Sequence, residues 1–314
     1  MSIFNTETPA TLAYSQYQSI RDILPQNNAK KTKTKIKTLL DIADDFDNFF
    51  FDAYGVLNTA DGVIPEALAT ISELKKRGKN CLVISNAAGF AREFYLKRYK
   101  KMGFNFNPDE VVVSRDVAMQ YLIRKVNNNH SNYYGIISGD FAQNDIEEII
   151  NKDKFLLPDN PDFGTKSDIF LFLGSMNWNK EKQTIWTKYL QEKPREIWVG
   201  NPDLIAPKGL EASIEAGTYT LLLEKNLYTK LLVCGKPFEH IFNLAKERIT
   251  AKNQSFNFER SLMVGDTLHT DILGGNNFGI KTALAVNYGF FKGLNYSAAI
   301  MDSGIEPDFI LEAI

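Results

Sequence analysis

Four apolar runs along the 314-residue chain stop on side chains able to do chemistry. In "NFFFDAYGVLN" three phenylalanines lead into Asp52, Ala53, Tyr54 and Gly55. "LVIS" ends on Ser85 with Asn86 next, "LLVCG" is followed by Lys236 and Pro237, and "LMVG" by Asp266, with Asp271 shortly after. Singly, each has an ordinary explanation: an acid at a strand end is often a helix N-cap, and Gly-Lys-Pro is a common turn. Together they offer one acid able to act as nucleophile, a hydroxyl, an ammonium and further carboxylates. That set suits a phosphoryl group and a hard cation. A carboxylate can attack phosphorus and form an aspartyl-phosphate, splitting hydrolysis into two steps. A cation held by carboxylates and phosphate oxygen neutralises the crowded negative charge, and a lysine adds a point charge. Serine and the N–H of the next residue can hold phosphate oxygens.

Such a set works only if the runs are neighbouring strands. After Phe49–Phe51, "IPEALATISELKKRGK" has proline near a helix start, helical apolar spacing and glycine at its end. "NCLVISNAAG" and "AREFYLKRYKKMG" repeat the alternation, and it resumes in "KLLVCGKP", "FEHIFNLAKERIT", "RSLMVGD" and "KTALAVNYG". Strands alternating with amphipathic helices predict an α/β fold: a doubly wound parallel sheet with helices on both faces, whose ligands gather beyond the carboxyl ends of the strands. Residues 1–45 read as a helical, peripheral segment; residues 46–107 plus 208–314 as a discontinuous Rossmann-like core; and residues 108–207, with "NYYGIISGD", "DIFLFLGSM" and "EIWVGNPDLIAP", as a smaller inserted α/β cap domain.

Hydrophobic content of 44%, charged content of 24% and a net charge of −2 fit a globular protein with no electrostatic footprint for nucleic acid or an anionic membrane. The basic run "KKTKTKIK", Lys30–Lys37, reads as a solvated face. Cys81 and Cys234 lie in apolar runs and read as buried free thiols of a reducing compartment. No apolar run reaches membrane-spanning length, and the first residues lack a signal-peptide pattern, so a cytoplasmic location is expected.

"FFDAYGVL", "VISNAAG", "GKPFEHIF" and "MVGDTLHTDILGGNNFG" resemble the four motifs of the haloacid dehalogenase superfamily. "GNPDLIAPKG" and "AGTYTLLLEK" extend the resemblance to its branch of nitrophenyl-phosphatases, pyridoxal-phosphatases and predicted sugar-phosphatases, over roughly residues 45–290. The resemblance implies a magnesium-dependent phosphatase acting on a small phosphorylated metabolite, a sugar phosphate or similar. It implies Asp52 as nucleophile and magnesium ligand, the carbonyl of Tyr54 as another ligand, and Ser85 and Asn86 as phosphate holders. Lys236 would balance charge, and Asp266, with Asp271 beside it, would complete the metal site. A homodimer is compatible with it. The long stretch between Ser85 and Lys236 places the cap between the second and third motifs, as in that branch.

One position departs from the pattern. Phosphatases of the superfamily carry a second aspartate, an acid and base, where this chain has Tyr54. A phenol, with its ordinary pKa of about 10, can donate a hydrogen bond but is a poor base at neutral pH. Two alternatives therefore stand beside the phosphatase: a non-catalytic or weakly active phosphate-binding protein, and a dehalogenase-like hydrolase, whose nucleophile motif looks much like "DAYG". The metal-binding pattern at Gly265–Asp266 and the cap position oppose the dehalogenase. His130 and His240 read as bland, and His269, although near the motif, is not read as a base. The glycines of "GGNNFG" do not follow a strand and are no dinucleotide fingerprint. Asn201 and Asp203 read as shaping the cap–core junction.

Overall fold

The computed structural model describes residues 4, 8–26, 31, 33–139, 144–208, 211–252, 255–312 and 314. The chain opens with α1 (Pro9–Ser19) and edge strand β1 (Thr34–Ile36), then enters β2 (Asn48–Phe51). A small hairpin, β3 (Asn58–Thr59) with β4 (Gly62–Val63), leads to α2 (Pro65–Lys76), β5 (Asn80–Ser85), α3 (Arg92–Lys101), β6 (Val111–Val113) and α4 (Ser114–Asn128). Next come β7 (Tyr134–Ile137), α5 (Asn144–Glu147), β8 (Phe155–Leu156), α6 (Phe163–Lys166), β9 (Ile169–Phe172), α7 (Lys180–Glu192) and β10 (Arg195–Val199). A second hairpin, β11 (Ile205–Lys208) with β12 (Glu211–Ile214), precedes α8 (Ala216–Thr220) and β13 (Tyr228–Val233). The chain finishes with α9 (Glu239–Thr250), β14 (Ser261–Gly265), α10 (Leu273–Phe278), β15 (Lys281–Ala285), α11 (Tyr296–Ser303) and β16 (Phe309–Leu311).

A seven-stranded sheet runs β1-β16-β15-β14-β2-β5-β6, with every pairing parallel. The phenylalanine run is its centre, and all three rings are fully buried. Side chains alternate across a strand. Phe49 and Phe51 therefore join one cluster with Ile71 and Leu74 of α2 and Tyr95 and Tyr99 of α3. Phe50 joins another with Val117 and Leu122 of α4 and Ile241 and Phe242 of α9. Helices thus cover both faces, as the alternation predicts. A second parallel sheet runs β13-β10-β9-β7-β8. Ile136, Leu171 and Trp198 from it share the Phe50 cluster, so the two sheets are joined by common core.

The sheets shift the expected domain borders. β6 lies past residue 107 yet pairs with β5 in the larger sheet, and β1, from the N-terminal segment, pairs with β16 there. β13, expected in the core, pairs with β10 in the smaller sheet. Nor is α1 peripheral. Thr8 caps it in a reciprocal box with Thr11, and it buries Tyr14 and Tyr17 against the rest of the chain. The Tyr14 hydroxyl donates to Asp302 Oδ2 at 2.7 Å, with the Ala299 carbonyl at 3.0 Å. Within the basic run, Lys31 pairs with Asp308 and Lys33 with Glu306 beside β1, while residues 30 and 32 fall outside the described residues.

Register decides whether the chemical residues reach one rim, because a one-residue slip turns every side chain over. Asn48 fixes it from the opposite end of the sheet. Its amide donates to Ser261 Oγ at 3.0 Å on β14, and its Oδ1 accepts from Asn80 Nδ2 at 2.9 Å on β5. Asn48→Ala strands polar groups on both neighbouring strands and is expected to destabilise the fold by about 1–3 kcal/mol. Urea unfolding with an unchanged far-UV spectrum of the native protein checks this.

Candidate active site

Asp52 leaves the end of β2 with its N–H donating to Val264 O at 2.9 Å, so it enters the rim beside β14. The chain then turns back: Leu57 and Asn58 donate to the Ala53 carbonyl at 2.9 and 3.1 Å, and Gly55 takes a φ of +78°. Gly289 has a φ of +67°. A Cβ on either glycine would collide with Asp266 Oδ2, so both backbones press against that carboxylate. Phe290 N–H donates to Asp266 Oδ2 at 2.7 Å and Thr267 Oγ1 donates to Oδ1 at 2.8 Å.

Lys236 is almost fully buried, and its Nζ lies 2.6 Å from Asp52 Oδ1 and 2.6 Å from Asp271 Oδ1. Burial alone would lower the ammonium's pKa, but the Asp271 and Asp52 carboxylates hold it above its usual range. Asp271 accepts from Thr267 N–H at 3.1 Å on its other oxygen. Burial pushes Asp271 up to about 6 against the pull of Lys236, which still leaves the pair ionised at neutral pH. Asp266 is driven well above the carboxylate range by burial, then by repulsion from Asp52 and Asp271. Ligand atoms of these three acids lie within 4.8 Å of one another. An all-oxygen donor set at this spacing, with glycines leaving room around Asp266, fits a hard divalent cation, whose charge would relieve the repulsion.

Asp52, Ser85, Lys236 and Asp266 thus converge, but from two sheets: Lys236 follows β13 of the smaller sheet, not a strand of the larger one. Asn86 is expected, with Ser85, to hold the phosphate, and its side chain bonds to protein. Its Oδ1 accepts from Lys236 N at 2.7 Å, and its Nδ2 donates to Lys236 O at 3.1 Å and Asp203 Oδ1 at 2.8 Å. The amide is a clamp, because both of its ends are engaged by protein. Ser85 Oγ accepts from Ala87 N–H at 3.3 Å and faces the cavity.

Two cavities meet at Asp52, Tyr54 and Asp203. The larger, about 1110 Å³, also takes in Ser85, Tyr95, Arg98, Trp178 and Tyr219. The smaller, about 590 Å³, includes Lys236, Asp266, Thr270 and Tyr17. Burial raises the pKa of the Tyr54 phenol, so it stays protonated and cannot serve as a base.

Sequence reading missed the part played by α1. The Tyr17 hydroxyl accepts from Leu204 N–H at 3.2 Å, and its ring stacks on His269 at 5.2 Å. His269 Nε2 meets Gln18 Oε1 at 2.9 Å, and burial, helped by Arg21, lowers its pKa to about 3. It is a neutral packing residue under α1. Two aromatic residues on one face of a short helix were the only signal, and they did not say what the face covers.

A family model described as haloacid dehalogenase-like hydrolase matches residues 49–147, and a second, HAD-hydrolase-like, matches residues 233–314. Phosphoglycolate phosphatase 2 of Arabidopsis thaliana is 25% identical over 291 residues, spanning 86% of this chain and 92% of that protein. The 4-nitrophenylphosphatase of Schizosaccharomyces pombe is 25% identical over 301 residues, 91% of this chain and 97% of that one. Among solved structures, a possible sugar phosphatase of the HAD superfamily from Cytophaga hutchinsonii superposes with a TM-score of 0.75 at 24% identity, covering 89% of this chain and 98% of its own. With its motif residues gathered on one rim and both ends of the fold matched, the chain belongs to the haloacid dehalogenase-like hydrolases.

Proposed function

We propose that the chain is a magnesium-dependent phosphatase of a small phosphorylated metabolite, working through an aspartyl-phosphate on Asp52. The observation that carries this is the buried Lys236 ammonium bridging Asp52 and Asp271 beside Asp266, at the floor of a cavity. Asp52 keeps one oxygen clear of Lys236 and can present it to phosphorus. Ser85 Oγ–H and backbone N–H groups beyond β2 and β5 would hold phosphate oxygens, while Lys236 would offset the charge of nucleophile and phosphoryl group. Asp271 orients Lys236. Asp52, Asp266 and the Tyr54 carbonyl, with Asp271 beside them, would hold Mg²⁺, which when bound neutralises the phosphate against the carboxylates.

Relatives named for phosphoglycolate, glycerol 3-phosphate and nitrophenyl phosphate support a small phosphate ester as substrate. Among the described residues no helix is long and apolar enough to cross a membrane. Cys81 and Cys234 are buried free thiols, both pushed up to about 12 by burial, which suits a cytoplasmic setting. Tyr54 favours a second reading, a protein that binds phosphate without turning it over.

Turnover separates the two. A panel of phosphate esters should be hydrolysed in magnesium and not in chelator, and Asp52→Asn should lower kcat by on the order of 10³-fold or more. Tight binding of esters without phosphate release by the wild type would favour the binding protein. The cation site has its own check: Gly289→Ala drives a Cβ onto Asp266 Oδ2. It should raise the magnesium concentration for half-maximal activity by roughly tenfold or more and weaken calorimetric metal binding in parallel.

A further inference from the structure

An ester of an ordinary alcohol leaves as an alkoxide unless a proton reaches the bridging oxygen, and a positioned acid contributes about 10²–10⁴-fold there. The same group must then take a proton from water if the acyl-phosphate is to be hydrolysed at neutral pH. Tyr54 cannot do the second task, since its phenol is held above its ordinary range. The group that does both must line the chamber beside Asp52, hold a proton near neutral pH, and keep an oxygen free of protein partners.

Three acids outside the metal cluster line the larger cavity with Asp52: Asp61, Asp203 and Glu215. Asp61 is exposed at the tip of the β3–β4 hairpin. Glu215 is engaged by Asn201 Nδ2 and Ser213 Oγ. Asp203 walls both cavities at the point where they meet. Its Oδ1 accepts from Asn86 Nδ2 at 2.8 Å, and among the described residues its side chain makes no other hydrogen bond, which leaves Oδ2 for the chamber.

Its loop is fixed from three sides. Asn86 ties Asp203 to the backbone of Lys236, so the acid is registered to the ammonium that contacts the nucleophile. Pro202 packs on Gly235, where a Cβ would strike its ring. The Tyr17 hydroxyl on α1 holds the N–H of Leu204.

We propose that Asp203 is the proton donor to the leaving oxygen and the base that activates water, doing the work that Tyr54 cannot. This rests on the phosphatase reading above. In the first step an Asp52 oxygen bonds to phosphorus as the ester P–O bond breaks. The electron pair of that bond stays on the leaving oxygen, which takes the Asp203 proton and departs as the alcohol. In the second step water attacks phosphorus, its proton passes to Asp203, and the bond to Asp52 breaks with its electron pair returning to the carboxylate. Phosphate leaves and Asp203 is protonated again.

The surroundings suit a group with two roles. Burial pushes Asp203 up to about 7; the Asn86 hydrogen bond and the Lys236 ammonium oppose this, while Asp52 and Glu215 add to it. These, with the Tyr17 phenol on α1, are the titratable and charged groups that face it. Both protonation states are then within reach at neutral pH.

The test compares kcat/KM, which reports transfer to Asp52, for an alkyl phosphate and for 4-nitrophenyl phosphate at saturating magnesium. Nitrophenolate leaves without a proton. Asp203→Asn keeps the shape and an oxygen for Asn86, and should lower kcat/KM for the alkyl ester by about 10²-fold or more but for the nitrophenyl ester by less than about tenfold. The alkaline fall of the wild-type alkyl profile near pH 7 should vanish. Adding Tyr54→Asp to Asp203→Asn should restore much of the alkyl rate by offering another acid. Equal losses on the two esters, or no loss on the alkyl ester, would overturn the proposal while leaving the phosphatase reading intact. Wild type that hydrolyses neither ester sinks that reading and the proposal with it. Should Asp203→Asn not fold, Tyr17→Phe, which releases the N–H of Leu204, replaces it: a selective alkyl loss supports the assignment, and a uniform one counts against it.

Discussion

Everything at the rim depends on one buried ammonium. Three carboxylates gathered beneath a cavity repel one another, and withdrawing each from water costs several kcal/mol. Lys236 Nζ, at 2.6 Å from both Asp52 and Asp271, offsets part of that charge where solvent cannot. Its position must therefore be set firmly. Asn86 does so by holding the N–H and the carbonyl of Lys236 together, a pair of bonds spanning 150 residues of sequence. Because Asn86 follows β5 of one sheet and Lys236 follows β13 of the other, the clamp also sews the two sheets together.

The same constraint explains which parts of the structure could be read from the sequence. Asp52, Ser85, Lys236, Asp266 and Asp271 were legible because the signal is local: an apolar run buried on both faces, then a polar residue at its end. The triple phenylalanine, with Phe49 and Phe51 on one face and Phe50 on the other, needs no knowledge of its neighbours to be read as a central strand. Which sheet a strand joins is a different question. "VVV" at 111–113 and "KLLV" before Lys236 are equally apolar, and only pairing with distant β5 and β10 sends one to the larger sheet and the other to the smaller. The clamp made by the side chain of Asn86 was not legible for a related reason. An amide can hold an anion or clamp a backbone, and the choice rests on a partner far along the chain. For α1 the difficulty was greater: Tyr14 and Tyr17 find their partners at Asp302, His269 and Leu204, none of which any local pattern connects to them.

These long-range ties limit how the site can open. A rigid-body swing of the five-stranded sheet would carry β13 with it and pull Lys236 away from Asp52 and Asp271, leaving buried charges unpaired. Breaking such a pair is the most expensive change available to the site. α1 adds a further restraint, since it grips the N–H of Leu204 with Tyr17 and the core helix α11 with Tyr14. The two hairpins also line the larger cavity, with Thr59 and Asp61 on β3–β4 and Ala206 and Ser213 on β11–β12, beside Tyr95 and Arg98 of α3. The junction that carries Asp203 is tied to the nucleophile by the same network, through Asn86 and Lys236.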